Sequence, residues 1–138
     1  MELLVVIAIT GVVITVLGTV IFQLTTVSEY GNARLTALHE LQNVSYWFNN
    51  DGQKSITASG GVTLTLTLPA SQTITYALSG THLQRTADAA TITVAQNISS
   101  VSFSVSGRSI AMDITSAPPG RNQIAEQGTY HVIMRPTP

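Results

Sequence analysis

The chain lacks cysteine altogether and carries few charges. Without cysteine, no disulfide can clamp the C-terminal region. Lys, Arg, Asp and Glu make up only 9% of the 138 residues, and the formal net charge is -1. Proteins that bind nucleic acid through its phosphates carry a basic footprint, and this composition offers none. We therefore expect no nucleic-acid partner.

Recognisable catalytic motifs are also missing. The sequence contains no GxSxG, HExxH, P-loop or dinucleotide-binding fingerprint. His39, His82 and His131 are too scattered to indicate a metal site, and Asp88 and Asp113 have no acidic neighbour. We therefore predict no enzyme activity, no catalytic residue, no metal and no cofactor.

Proline is absent before Pro69, and charge is absent from a long apolar run near the start. Residues 3–22 read LLVVIAITGVVITVLGTVIF, and a single acid, Glu2, precedes them. A helix of this length is ~30 Å long, the thickness of a bilayer's hydrocarbon core. Burying each of its 14 large side chains is worth roughly 1.5–3 kcal/mol, a total above the ~5–15 kcal/mol of an ordinary domain. We expect the run to lie in lipid or to pack against other copies of itself.

The helical pattern continues beyond this run. Apolar residues recur at steps of three or four and form one predicted stripe: Leu24, Val27, Gly31, Leu35, Leu38, Leu41, Val44 and Phe48. Asn49-Asn50-Asp51-Gly52 predicts the helix end, since these residues tolerate the left-handed conformation. A helix from Met1 to about Asn50 would be ~75 Å long.

From Gly60 the apolar period changes from 3.6 to 2. Residues 62–68 alternate strictly, and shorter alternating runs follow at 73–78, 92–94, 101–106, 110–114 and 130–134. The pattern predicts an α+β fold, a long N-terminal helix packed on a C-terminal antiparallel β-sheet. The predicted helix-sheet contacts are Leu38, Leu41, Val44 and Phe48. Tyr46, Trp47 and Phe48 are interpreted as packing residues in preference to the alternative, a ligand platform.

The expected domain organisation follows from these two patterns. Residues 1–52 form the N-terminal helix, with a segment at 1–23 that lies in a membrane or packs against other copies of itself, and an amphipathic half at 24–52. Residues 53–138 form a β-rich head that packs on residues 24–52.

The opening residues, MELLVVIAITGVV, resemble the N-terminal helix of type IV pilins and type II secretion pseudopilins. In that family a short basic leader is followed by Phe-Thr-Leu-(Ile or Met)-Glu and a long aliphatic helix. Met1 and Glu2 match the last two of those five residues, and the rest are expected to precede this numbering. The resemblance covers about residues 1–22 and implies a pilin fold.

The resemblance also implies a homopolymer whose assembly depends on Glu2. In the family this acid pairs with the N-terminal amine of a neighbouring subunit, which offsets the cost of a carboxylate in an apolar core. The alternative is an acid that merely favours a helix N-terminus. The implied partners are a prepilin peptidase, an assembly ATPase and a platform protein. The implied location is the inner membrane before assembly and an extracellular filament at the cell surface afterwards.

Gly11 and Gly18 are further candidate assembly residues. Each costs roughly 1 kcal/mol relative to Ala inside a helix. The helix of pilins often loses hydrogen bonding in this region, often near a proline that this chain lacks. Close helix packing through small residues is the other explanation, and both stay open.

Two Asn-x-Ser sequences, at Asn43 and Asn97, match the acceptor pattern for N-glycosylation. Such matches arise often by chance in a chain rich in Ser and Thr. They are candidate modification sites and carry no weight in the assignment of function.

The leading hypothesis is a structural subunit, a major pilin, of a type IV pilus-like filament. The runner-up within this fold is a minor pilin or a type II secretion pseudopilin, which abundance in sheared filaments would distinguish. A hypothesis of another class is a membrane-tethered β-domain that binds a sugar or surface polymer. Adhesion, motility and DNA uptake are outputs of the resembling family among which the sequence does not choose.

Overall fold

A computed structural model describes residues 2–120 and 124–136 of the chain. One α-helix, α1, runs Glu2–Lys54, and a short 3₁₀ helix spans Pro69–Ser71. The strands that follow in the described residues are β1 Thr57–Ser59, β2 Leu64–Thr67, β3 Thr73–Ser79, β4 His82–Ala87, β5 Ala90–Ala95, β6 Ile98–Ser106, β7 Ser109–Ser116 and β8 Glu126–Ile133. This arrangement confirms the predicted α+β fold class.

The strands form two antiparallel sheets, whereas the sequence predicted one. Strands β1 to β5 pair in chain order in the first sheet, and β6 to β8 do so in the second. An isolated bridge between Gly61 and Phe103 links them. The prediction missed β4 because the polar Arg85 occupies a position at which an alternating apolar pattern would have an apolar residue. It also began β2 too early, since Val62 lies before the strand and is 79% exposed.

The chain divides into two compact units, Met1–Asn32 and Ala33–Pro138. The described residues of the first unit are all helical. In the second unit, the C-terminal turns of α1 join the strands in one hydrophobic core. The helix residues from Ala33 onward therefore belong with the β-strands. The boundary between the two compact units lies after Asn32, within α1, and not at the end of the helix at Lys54.

The core-facing row of α1 differs from the predicted stripe. Leu41, Val44 and Phe48 are buried in the core with residues of both sheets. The prediction for Leu38 is wrong, because this side chain is 38% exposed and Ala37 takes the buried position instead. Steps of four, three and four residues from Ala37 keep the row on one side of the helix. Leu24, Val27 and Leu35 are exposed, so the stripe does not continue on that side.

The predicted stop sequence lies inside the helix, which ends at Lys54. Gly52 is buried against β8, where an added Cβ would lie 2.9 Å from Val132 Cγ2 and closer still to Cγ1. Glycine is therefore required at this position for close approach of the helix to the strand. The polar run Asn49–Gly52 was interpreted as the helix end. In the structure this run is helical, and Asp51 is buried as well.

Candidate assembly surface on the N-terminal helix

The apolar run of α1 presents its side chains on every side of the helix. All 14 large side chains between Leu3 and Phe22 are 45–75% exposed. Such a continuous apolar surface is far larger than the isolated exposed residues of ordinary soluble proteins. The segment therefore needs covering contacts that the described part of the chain does not supply.

The hydroxyl groups within this run are satisfied by the helix itself. Thr10 Oγ1 donates to the carbonyl oxygen of Val6 at 2.7 Å, Thr15 Oγ1 to that of Gly11 at 2.8 Å, and Thr19 Oγ1 to that of Thr15 at 3.0 Å. A helix already satisfies its backbone groups internally, which is the condition for entering hydrocarbon. With the threonine hydroxyls bonded too, the run has no polar group that requires water.

One helix in the described part of the chain is long and apolar enough to cross a membrane, by length and composition alone. It is α1, and no residue of its most apolar window is buried. The buried core helix of a soluble protein can pass the same test, but full exposure separates this segment from that case.

Glu2 lies exposed in the first turn of α1. Among residues 2–120 and 124–136 it forms no ion pair. A carboxylate at this end of a helix is favoured by the macrodipole. Any cation that pairs with Glu2 would have to come from outside the described residues, and the assembly role of Glu2 stays a prediction.

Gly11 and Gly18 are both helical and both surrounded by open space. No atom lies within 4 Å of the position that a Cβ would take at either residue. Because they are seven residues apart, they lie on the same side of the helix. Contacts among the described residues therefore give no reason for glycine at these two positions, and close approach there would have to involve other residues or another molecule. Melting of this segment on assembly stays untested.

A buried ionic cluster, which the sequence did not reveal, lies at the other end of α1. The Asp51 side chain is 2% exposed and accepts a hydrogen bond of 2.5 Å from the Tyr76 hydroxyl. Arg85 donates to both Asp51 oxygens, from Nε at 2.5 Å and from Nη2 at 3.1 Å. Tyr76 and Arg85 face each other across β3 and β4, so the sheet brings both donors to one carboxylate.

The cluster shifts the protonation equilibria of its members. Burial, reinforced by the Asp51 carboxylate, raises the pKa of the Tyr76 hydroxyl far above its ordinary value. The hydrogen bond to Asp51 raises the pKa of the Arg85 guanidinium, against the opposing effect of its desolvation. The neutral phenol and the charged guanidinium are thus the forms that the fold stabilises. The cluster therefore ties the last turns of α1 to the first sheet.

No family model, curated protein or solved structure matches this chain.

One sequence signal could have revealed the cluster. Asp51 continues the row of Val44 and Phe48 at helical spacing, so a charge falls on the core-facing side of an otherwise apolar row. In a chain with 9% charged residues, a carboxylate in that row predicts a buried partner. Its identity could not be read from spacing, because Arg85 lies 34 residues away in sequence.

The neighbouring aromatic residues lie in different environments. Phe48 is buried and Trp47 is partly buried against the core, whereas Tyr46 is 67% exposed. The interpretation of Tyr46 as a core packing residue is therefore wrong. Its ring meets the edge of Trp47 at 5.9 Å between centroids.

The other candidate sites are placed but not tested. No group of three or more His, Asp or Glu side chains that could hold a metal occurs in the described residues. Asn43 Nδ2 donates to the carbonyl oxygen of Val94 at 2.6 Å. Asn97 adopts φ 56° between β5 and β6. N-glycosylation at either residue stays a prediction.

Proposed function

We propose that this chain is the structural subunit, a major pilin, of a type IV pilus-like filament. Its apolar helix would reside in the inner membrane before assembly and transfer into the core of an extracellular homopolymer afterwards. The observation that carries the proposal is the unbroken exposed apolar surface of residues 3–22, whose hydroxyl groups are all internally bonded.

The length of this surface favours a polymer over a simple membrane tether. Large apolar side chains stay exposed beyond Phe22, at Leu24, Val27 and Tyr30. From Leu3 to Tyr30 the helix rises ~42 Å, whereas a bilayer's hydrocarbon core is ~30 Å thick. Lipid would leave the surplus uncovered, but parallel helices of identical subunits would cover the whole length. The packing of like helices is thus the better match.

Hydrophobicity alone gives such an assembly no direction. Lipid tails are as apolar as leucine, so exchange of lipid for protein contacts is nearly neutral in free energy. Packing at Gly11 and Gly18, a charge pair at Glu2 and the ATP-driven machinery implied by the family resemblance would supply the direction. Of these, the charge pair is the simplest to test.

Replacing Glu2 by Ala is expected to leave the protein in the membrane but to reduce filament yield. Close charge pairs at interfaces couple by ~1.5 kcal/mol or more, so the expected loss is at least about tenfold. Sheared filaments would be quantified by electron microscopy, alongside the membrane fraction. Glu29→Gln, at an exposed acid of the same helix, is the matched control.

Two outcomes would count against the proposal at different levels. Normal filament yield from Glu2→Ala would remove Glu2 from its assembly role. If the wild-type protein gave only single molecules that stay in the membrane, the filament itself would be refuted.

A further inference from the structure

The second compact unit contains a cleft that the proposed filament role does not use. Its volume is about 280 Å³, and it lies between the last turns of α1, the connection from β2 to β3, and the end of β4. Its apolar lining residues are Leu68, Ile74 and Ala87. The lining also includes one aromatic side chain and several polar ones: Trp47, Asn50, Lys54, Gln72, Thr73 and Asp88.

The aromatic wall of the cleft is fixed by the buried ionic cluster. The Arg85 guanidinium lies over the Trp47 ring, 4.9 Å from its centroid. Arg85 is in turn held by two hydrogen bonds to Asp51, which also lines the cleft. Trp47 is thus positioned before any ligand arrives, and such preorganisation lowers the entropic cost of binding.

The polar groups around the cleft are uncommitted. The side chains of Asn50, Lys54, Gln72, Thr73 and Asp88 make no hydrogen bond or ion pair within residues 2–120 and 124–136. Two carboxamides, a hydroxyl, an ammonium and a carboxylate offer both donors and acceptors. A ligand with many hydroxyl groups, each of which donates and accepts, can satisfy such a mixed set.

The charges that line the cleft cancel. Asp51 is neutralised by Arg85, and the remaining pair, Lys54 and Asp88, has opposite signs. An anionic ligand would meet the Asp88 carboxylate, and a cationic one would meet Lys54. The balance therefore favours an uncharged ligand over either.

Left-handed backbone conformations occur in the two connections that border the cleft. Ala70, Ser71, Asp88 and Ala89 all have φ between 49° and 66°. Asp88 and Ala89 are the two turn residues of the β4–β5 hairpin, where this conformation is the usual one. The two connections place Gln72 and Asp88 in the lining.

We infer that this cleft binds a pyranose residue of an uncharged glycan. The apolar face of the sugar ring would lie on the apolar part of the lining, beside Trp47, and its hydroxyl groups would bond to Asn50, Gln72 and Asp88. Filament assembly is not required for this binding, so the inference stands or falls independently of the proposed function.

The experiment uses the only tryptophan of the chain as its reporter. The detergent-solubilised full chain is titrated with glucose, galactose, mannose, N-acetylglucosamine, galacturonic acid and glucosamine, and Trp47 fluorescence is recorded. At least one uncharged sugar is expected to give a saturable change, with weaker effects from the acidic and amino sugars. Gln72→Ala and Asp88→Ala should each weaken binding about fivefold or more, the effect of one lost hydrogen bond.

The control is Gln42→Ala, at an exposed helix residue outside the cleft, which should bind like the wild type. Gln72 and Asp88 are exposed and lie outside the Asp51 cluster, so their variants are expected to fold normally. The inference is overturned if no uncharged sugar gives a saturable change. It is also overturned if the Gln72 and Asp88 variants bind normally, or if a charged sugar binds most tightly.

Discussion

The two ends of α1 belong to one helix but differ in how their side chains are covered. Residues 3–22 have no charge, yet all their large side chains are exposed. Residues 37–52 include the charged Asp51, yet their core-facing row is buried. Apolar composition therefore does not decide which part of the helix is covered within the chain. The last turns of α1 are covered because they share one hydrophobic core with strands of both sheets, and those strands belong to the second compact unit.

The largest expected effect comes from cutting the helix at different points. A fragment of residues 33–138 keeps the second compact unit intact and should unfold cooperatively. A fragment of residues 53–138 loses Leu41, Val44 and Phe48, whose burial contributes roughly 5–9 kcal/mol, comparable to a domain's whole stability. It should give the poorly dispersed amide NMR spectrum of an unfolded chain. A well-folded spectrum from this shorter fragment would contradict helix-on-sheet packing.

The next effect contrasts a buried ion pair with an exposed one. Asp51→Asn leaves the Arg85 charge, whose side chain is 14% exposed, without its partner, at a cost of about 3–5 kcal/mol. Glu126→Gln removes a pair with Arg34, whose side chain is 55% exposed, and should cost about 0–1 kcal/mol. Urea unfolding followed by Trp47 fluorescence measures both. Equal losses in the two variants would mean that the buried cluster does not anchor the helix.

The fold class could be predicted from sequence because it depends on local periodicity. Strict alternation over residues 101–105 and 110–114 predicted β6 and β7, and the unbroken helical pattern predicted α1. The phase of the helix could not be predicted as well. Leu38 is larger and more apolar than Ala37, but the geometry of the row places the smaller side chain in the core.

Long-range pairing was beyond the reach of periodicity. Asp51 read as part of a helix stop because its partners, Tyr76 and Arg85, lie 25 and 34 residues away. The division into two sheets depends on which strands pair, and the break between β5 and β6 has no glycine or proline to mark it. For the assembly surface the situation is reversed. The sequence marks it as one continuous apolar run, and among the described residues all 14 of its large side chains are exposed.

The alkaline limit of stability should depend on the second unit, which contains the buried Tyr76, whereas residues 3–22 have no ionisable group. Burial raises the pKa of Tyr76 above its ordinary value, so above pH ~10 the unfolded chain loses this proton and the folded one keeps it. Stability is therefore full below pH ~10 and falls by ~1.4 kcal/mol per pH unit above it. Tyr76→Phe should flatten this decline in urea unfolding between pH 8 and 11.5. A residual slope from Tyr130, whose pKa burial also raises, should persist; an unchanged slope would contradict the assignment.

The smallest effect gives the most direct comparison, because a Gly→Ala substitution should change stability in opposite directions in the two regions. Gly52→Ala forces a Cβ against the stiff Val132 side chain and should destabilise by about 1–2 kcal/mol, since overpacking outweighs the gain in helix propensity. In Gly11→Ala the added Cβ meets no atom of the described residues beyond the adjoining helix backbone, and the substitution should stabilise the helix by about 1 kcal/mol. Circular dichroism of detergent-solubilised protein during thermal unfolding measures both changes. If Gly11 packs against a neighbouring subunit, its more helical variant should nonetheless give fewer filaments. Normal filament yield from Gly11→Ala would instead show that no second helix approaches closely at this glycine.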